Sequence, residues 1–125
     1  MKKHVLFGLV AGVALMAGVS AASAQDAALG EAVFRQCKAC HSLEAGKKGV
    51  GPSLSGLIGR QSGSVEGFAY SPAMKGAAIT WNEENLTKYI ADPKGFIAGN
   101  KMAFAGVKKE EDLKNLVAYL SEAAK

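Results

Sequence analysis

Apolar residues recur at helical spacing in three stretches of the chain, and no stretch alternates as a half-buried strand does. The clearest lies near the C-terminus, where Leu113, Leu116, Val117 and Leu120 follow i, i+3, i+4, i+7 spacing. Glu110, Glu111 and Asp112 precede it and favour a helix N-terminus through the backbone dipole. A second stretch presents Leu86, Tyr89 and Ile90; Thr80 followed by Glu83 reads as its capping box, and Pro93 ends it at or near Asp92. The third starts with Asp26 as cap, carries Leu29, Val33 and Phe34 on adjacent faces, and is expected to run into Cys37–His41. Ser71-Pro72-Ala73-Met74 suggests a short helical turn, with serine as cap and proline at the first position. The pattern predicts an all-α chain of about four or five helices, without internal repeats.

One stretch has no such periodicity because it is apolar throughout. Val5 to Val19 follows a basic start of Lys2, Lys3 and His4, and Ala22-Ser23-Ala24 supplies a small-residue cleavage pattern. Fifteen residues suit a signal peptide and are short for a membrane span of about 20. Residues 1–24 therefore read as a signal peptide, with an uncleaved membrane anchor as the alternative, and 25–125 as one domain. Removing the leader leaves 101 residues and takes two lysines with it, so the net charge falls from +4 to +2. The expected location is then the periplasm of a bacterium, an oxidising compartment.

Between the first and second helical patterns lies a long segment rich in glycine: Gly46, Gly49, Gly51, Gly56, Gly59, Gly63 and Gly67. Loops beyond about 12–15 residues are uncommon in compact domains. Val50, Leu54, Leu57, Ile58 and Phe68 argue against disorder. They suggest a loop packed on an apolar object that the chain does not supply, which would also help a domain of this size build a core.

Cys37-Lys38-Ala39-Cys40-His41 identifies that object, because C-x-x-C-H is the signature of covalent c-type haem attachment. Thiols one turn apart can each form a thioether to a haem vinyl group, and the adjoining histidine can donate a nitrogen to iron. Other uses of the cysteines fit less well. A thioredoxin-like site needs a βαβ context. A zinc site wants four ligands. A Cys37–Cys40 disulfide would close a very small loop and stabilise little. With His4 lost in the leader, the second axial position falls to a methionine, Met74 or Met102. Met102 is favoured, since Gly99 and Gly106 on either side let the backbone curve against a flat ring, whereas Met74 sits where packing is the usual role. Met/His ligation is an electron-transfer pattern.

With these residues in hand the mature chain resembles the class I c-type cytochromes of the soluble mitochondrial and purple-bacterial kind. The likeness rests on Gly30, Phe34, Cys37–His41, Gly51-Pro52-Ser53-Leu54, Gly56-Leu57-Ile58-Gly59-Arg60, Gly67-Phe68-Ala69-Tyr70, Ile79-Thr80-Trp81, Tyr89, Pro93, Gly99-Asn100-Lys101-Met102, Phe104-Ala105-Gly106 and Leu116 to Leu120. The resemblance implies the small cytochrome c fold around one haem c, with His41 and Met102 as axial ligands. It implies a Pro52 carbonyl that orients His41, Tyr70 and Trp81 hydrogen-bonded to a haem propionate, and Arg60 offsetting propionate charge. Tyr89 would bond near the Met102 sulfur, and Gly30 and Phe34 would pack on the terminal helix at Leu116, Tyr119 and Leu120. Met74 stands where the mitochondrial proteins carry an asparagine near a buried water. Asn100 replaces a threonine but is still expected to donate to a propionate. Ala98 and Ala103 replace larger residues of the methionine loop, and Gly95 replaces a lysine.

The charge matters by position rather than total. Lys38, Lys47, Lys48, Lys94, Lys101, Lys108 and Lys109 lie near the haem motif, the methionine loop or the glycine-rich loop. Such a basic rim steers a protein to acidic patches on redox partners. The resemblance implies a monomeric one-electron carrier between membrane respiratory or photosynthetic complexes. Its donor would be a quinol–cytochrome c oxidoreductase. Its acceptor would be a terminal oxidase, a photosynthetic reaction centre or a denitrification enzyme. Nucleic acid is not expected, as +2 is weak and no basic helix is present. The competing reading is a small haem peroxidase or ligand-binding cytochrome, which needs an open sixth position.

Overall fold

The computed structural model describes residues 26–125 together with Gly8 and Gly12; apart from these two glycines the expected leader lies outside the described residues. Among the described residues five helices follow in order: α1 (Ala27–Phe34), α2 (Pro72–Gly76), α3 (Glu83–Ala91), α4 (Pro93–Phe96) and α5 (Glu110–Ala123). Among the described residues no strand forms, and an isolated antiparallel bridge joins Gln61 to Thr80.

The most extensive helix contact is α1 on α5. Gly30 sits at the contact: a Cβ there would run into the Asn115 carbonyl and stand 2.7 Å from Tyr119 Cβ. The two helices therefore approach as closely as their backbones permit. Phe34 packs beside Tyr119 with ring centroids 5.3 Å apart, and joins Leu116, Val117 and Leu120 in the core. Asn115, itself buried, accepts a hydrogen bond from the Asp26 N–H at 2.9 Å. Asp26 in turn caps α1, its carboxylate accepting from the N–H groups of Ala28 and Leu29. The start of the domain is thus tied to its last helix.

Three local expectations are corrected. α1 does not run to His41 but ends at Phe34, and tight turns take over, with Cys37 N–H bonded to Phe34 O and both Cys40 and His41 N–H bonded to Cys37 O. The cap of α3 is Asn82, whose side chain accepts from Asn85 N–H at 2.8 Å, rather than Thr80. Thr80 contributes its carbonyl, which accepts from the Asn85 side chain. Pro93 does end α3, yet it also starts α4: Asp92 accepts from Gly95 N–H and Pro93 occupies the first turn, where its missing N–H costs nothing.

The glycine-rich segment is an ordered loop held at its ends and middle. Gly51 N–H bonds to Cys40 O and Leu54 N–H to Ser42 O, both at 2.8 Å. Further on, Gly59 N–H reaches Trp81 O, Trp81 N–H reaches Arg60 O, and Ser62 N–H reaches Ile79 O. Leu54 and Leu57 are buried, whereas Val50 is 79% exposed and does not pack in the core. Ala78 carries a positive φ of 53° in the turn before this bridge. That left-handed conformation costs a residue with a Cβ about 1–2 kcal/mol.

Candidate functional site

The helices and the loop leave one cavity between the Cys37–His41 turn and the Met102 loop, with Leu54, Leu57, Trp81, Leu86 and Ile90 among its walls. Cys37, Cys40, His41, Pro52, Arg60, Tyr70, Trp81, Tyr89, Asn100 and Met102 all line it, as does Met74. Residues from Cys37 to Met102 in sequence therefore face one space.

His41 donates from Nδ1 to the Pro52 carbonyl at 2.8 Å. A carbonyl can only accept, so Nδ1 carries a proton, and in the neutral ring Nε2 is then the nitrogen with a free lone pair. Gly51 lies against the ring: a Cβ there would collide with His41 Cε1 and stand 2.7 Å from Nδ1. Cys37 and Cys40 are not bridged to each other. Burial first, and neighbouring Cys40 second, push the Cys37 thiol above its ordinary value. A raised thiol is the opposite of the activated thiolate that a disulfide-exchange site needs.

Across the cavity the Tyr89 hydroxyl donates to the Met102 sulfur at 3.8 Å. Burial pushes the Tyr89 phenol up to about 12, so it holds its proton throughout the neutral range. Tyr89 is fixed between Trp81 and Phe96, with ring centroids 5.1 and 6.4 Å away. The Tyr70 hydroxyl accepts from Val65 N–H at 3.2 Å, which leaves its own hydrogen to give. Arg60 donates from one terminal nitrogen to the carbonyls of Ser53 and Ser55, while its buried Nε–H has no partner among the described residues. Burial lowers its pKa.

One expected role is corrected. The Asn100 amide donates to the carbonyls of Pro93 and Ile97, both at 2.8 Å, and its oxygen accepts from Met102 N–H at 2.8 Å. Both amide hydrogens are committed, so Asn100 has none left for a propionate. The lysine rim also divides. Lys48 and Lys101 reach the carbonyls of Gly67 and Ala69, Lys108 reaches that of Ala91, and Lys47 pairs with Glu44 at 3.7 Å on the open surface. Lys109 faces a separate groove between α1 and α5. Sequence reasoning missed Asn115, whose partner Asp26 lies 89 residues away and leaves no local signal.

The cavity fits a haem. Its walls are largely apolar, Gly51 removes the one Cβ that would displace the histidine ring, two thiols stand a turn apart, and an unpartnered buried N–H of Arg60 suits an anionic substituent.

Comparison with known proteins agrees with this fit. The Cytochrome c family model matches residues 27–124. Cytochrome c2 of Blastochloris viridis is 53% identical over 121 residues, covering 96% of this chain and 93% of that protein. Cytochrome c-550 of Nitrobacter winogradskyi is 54% identical over 98 residues, covering 78% and 90%. The solved structure of cytochrome cH from Methylobacterium extorquens superposes with a TM-score of 0.73 at 42% identity, covering 77% of this chain and 97% of that one. The chain therefore belongs to the cytochrome c family, electron carriers rather than enzymes, which bind one haem c covalently through a cysteine pair.

Proposed function

We propose that this chain is a periplasmic one-electron carrier whose haem is attached through Cys37 and Cys40 and ligated by His41 and Met102. The observation that carries the reading is the pair of oriented donors on one cavity: His41 with Nδ1 tied to Pro52 O, leaving Nε2 as the donor nitrogen, and Met102 with its sulfur held by Tyr89. When bound, haem supplies an iron that accepts and gives up one electron. The protein residues hold both ligands through that change, so no bond to protein need form or break. Apolar walls at Leu54, Leu57 and Leu86 exclude water, and two strong ligands leave no open position for substrate. Tyr70, Trp81 and Arg60 would receive the propionates: a free phenolic hydrogen, an indole N–H and an unpartnered guanidinium N–H are the donors available.

The partners are redox complexes with acidic faces, a quinol–cytochrome c oxidoreductase on one side and an oxidase, reaction centre or denitrification enzyme on the other. Exposed Lys38 and Lys94 have no carboxylate within ion-pair distance among the described residues, and Lys101 lies at the cavity wall. Such charges speed encounter and are screened beyond a Debye length of about 8 Å at physiological salt. The test is the rate of electron transfer to purified acceptors against ionic strength. The rate should fall steeply as salt rises with the physiological partner; a rate indifferent to salt with every acceptor would reject electrostatic docking.

Export removes residues 1–24, so that the native chain starts at Gln25. Mass spectrometry of the protein from its own cells checks this, and a chain still carrying Met1–Ala24 would favour the anchored form.

A further inference from the structure

The segment that presents Met102 is irregular from Ile97 to Lys109, with neither helix nor sheet to hold it. Its backbone bonds are few: Ile97 N–H to Pro93 O, Asn100 N–H to Ile97 O, Phe104 N–H to Met102 O and Val107 N–H to Ile90 O, with Lys109 O accepting from Leu113 N–H where α5 begins. The Met102 N–H has its bond to the Asn100 side-chain oxygen instead. The same side chain sends both amide hydrogens to α4 and its end, at Pro93 O and Ile97 O. All three distances are 2.8 Å, within the favourable range for such bonds. One amide thus joins the buried Pro93 end of α4 to the backbone of the methionine itself. Tyr89 restrains only the sulfur, at 3.8 Å.

We propose that Asn100 is the clasp of the methionine loop, a positioning residue that sets how readily the Met102 sulfur can be displaced. This rests on Met102 being an axial ligand. The role needs a side chain that accepts once and donates twice at short reach. Alanine can do neither. Threonine can accept from Met102 N–H and donate one hydrogen, which restores part of the clasp. Aspartate would turn a second oxygen towards two carbonyls and push the loop away.

The experiment titrates the ferric holoprotein with imidazole and follows the red charge-transfer band of thioether-to-iron ligation. Asn100→Ala should bind imidazole about tenfold to a hundredfold more tightly than the native protein, as loss of two or three net hydrogen bonds implies. Asn100→Thr should fall between. Ser62→Ala serves as the control: it removes a buried bond to Ile79 N–H, away from the loop, and should destabilise the fold without changing imidazole affinity. Equal affinity in Asn100→Ala and native protein would overturn the proposal, as would an equal rise in Ser62→Ala. Should Asn100→Ala fail to assemble, Asn100→Thr against native decides by the same criterion. A native protein without the band would overturn the Met102 ligation on which the clasp rests, a result distinct from failure of the clasp alone.

Discussion

Met102→Ala is expected to abolish the thioether-to-iron charge-transfer band completely and to lower the reduction potential, because methionine is the ligand that raises it. The sulfur is the donor across the cavity that Tyr89 holds in place, and alanine leaves that position to water. The reduced variant should then bind carbon monoxide promptly and stoichiometrically. Met74 shares the cavity wall but sits on α2 with Ser71 as cap, so Met74→Leu should keep the band. A Met102→Ala protein with an unchanged spectrum would remove Met102 from the site, and loss of the band in Met74→Leu would move the ligand there.

Gly30→Ala is expected to have the largest effect on stability. The added Cβ would enter the Asn115 carbonyl and the Tyr119 Cβ, both on α5 and neither able to swing aside as a long side-chain tip could. Separating α1 from α5 would also stretch the Asp26–Asn115 bond and expose Phe34. Overpacking of this kind costs about 3 kcal/mol, and in a domain of this size that lowers the midpoint by about 10 °C or more. Thermal unfolding of the holoprotein measures it. A variant as stable as the native protein would mean that α1 and α5 can part without loss, against the account of the fold given above.

Covalent haem attachment was legible because it is written locally: Cys37 and Cys40 lie one turn apart with His41 directly after them. The periodicity of α5 was legible for the same reason, since Leu113, Leu116, Val117 and Leu120 form one face within a single helix. Features that depend on the choice among several polar residues were not. Thr80 and Asn82 both precede the α3 pattern, and only the backbone angles of Asn82 place its oxygen under Asn85 N–H. Asp92-Pro93 was read as a stop, although an acidic cap followed by proline is equally a start, as α4 shows. The family resemblance, in which Asn100 takes the place of a threonine, points it outward to a propionate. Its actual partners, Pro93 and Ile97, depend on α4, which the sequence pattern did not reveal. Asn115 offered no signal at all, because its partner is at the other end of the domain.

With both axial positions filled by the chain, as proposed, the protein carries electrons and does not bind substrate at iron. Carbon monoxide added to the reduced native protein at neutral pH tests this most directly. No prompt binding is expected, with the spectrum of the reduced protein unchanged while Met102→Ala binds at once. Prompt, stoichiometric binding by the native protein would contradict it and would return the chain to the ligand-binding reading.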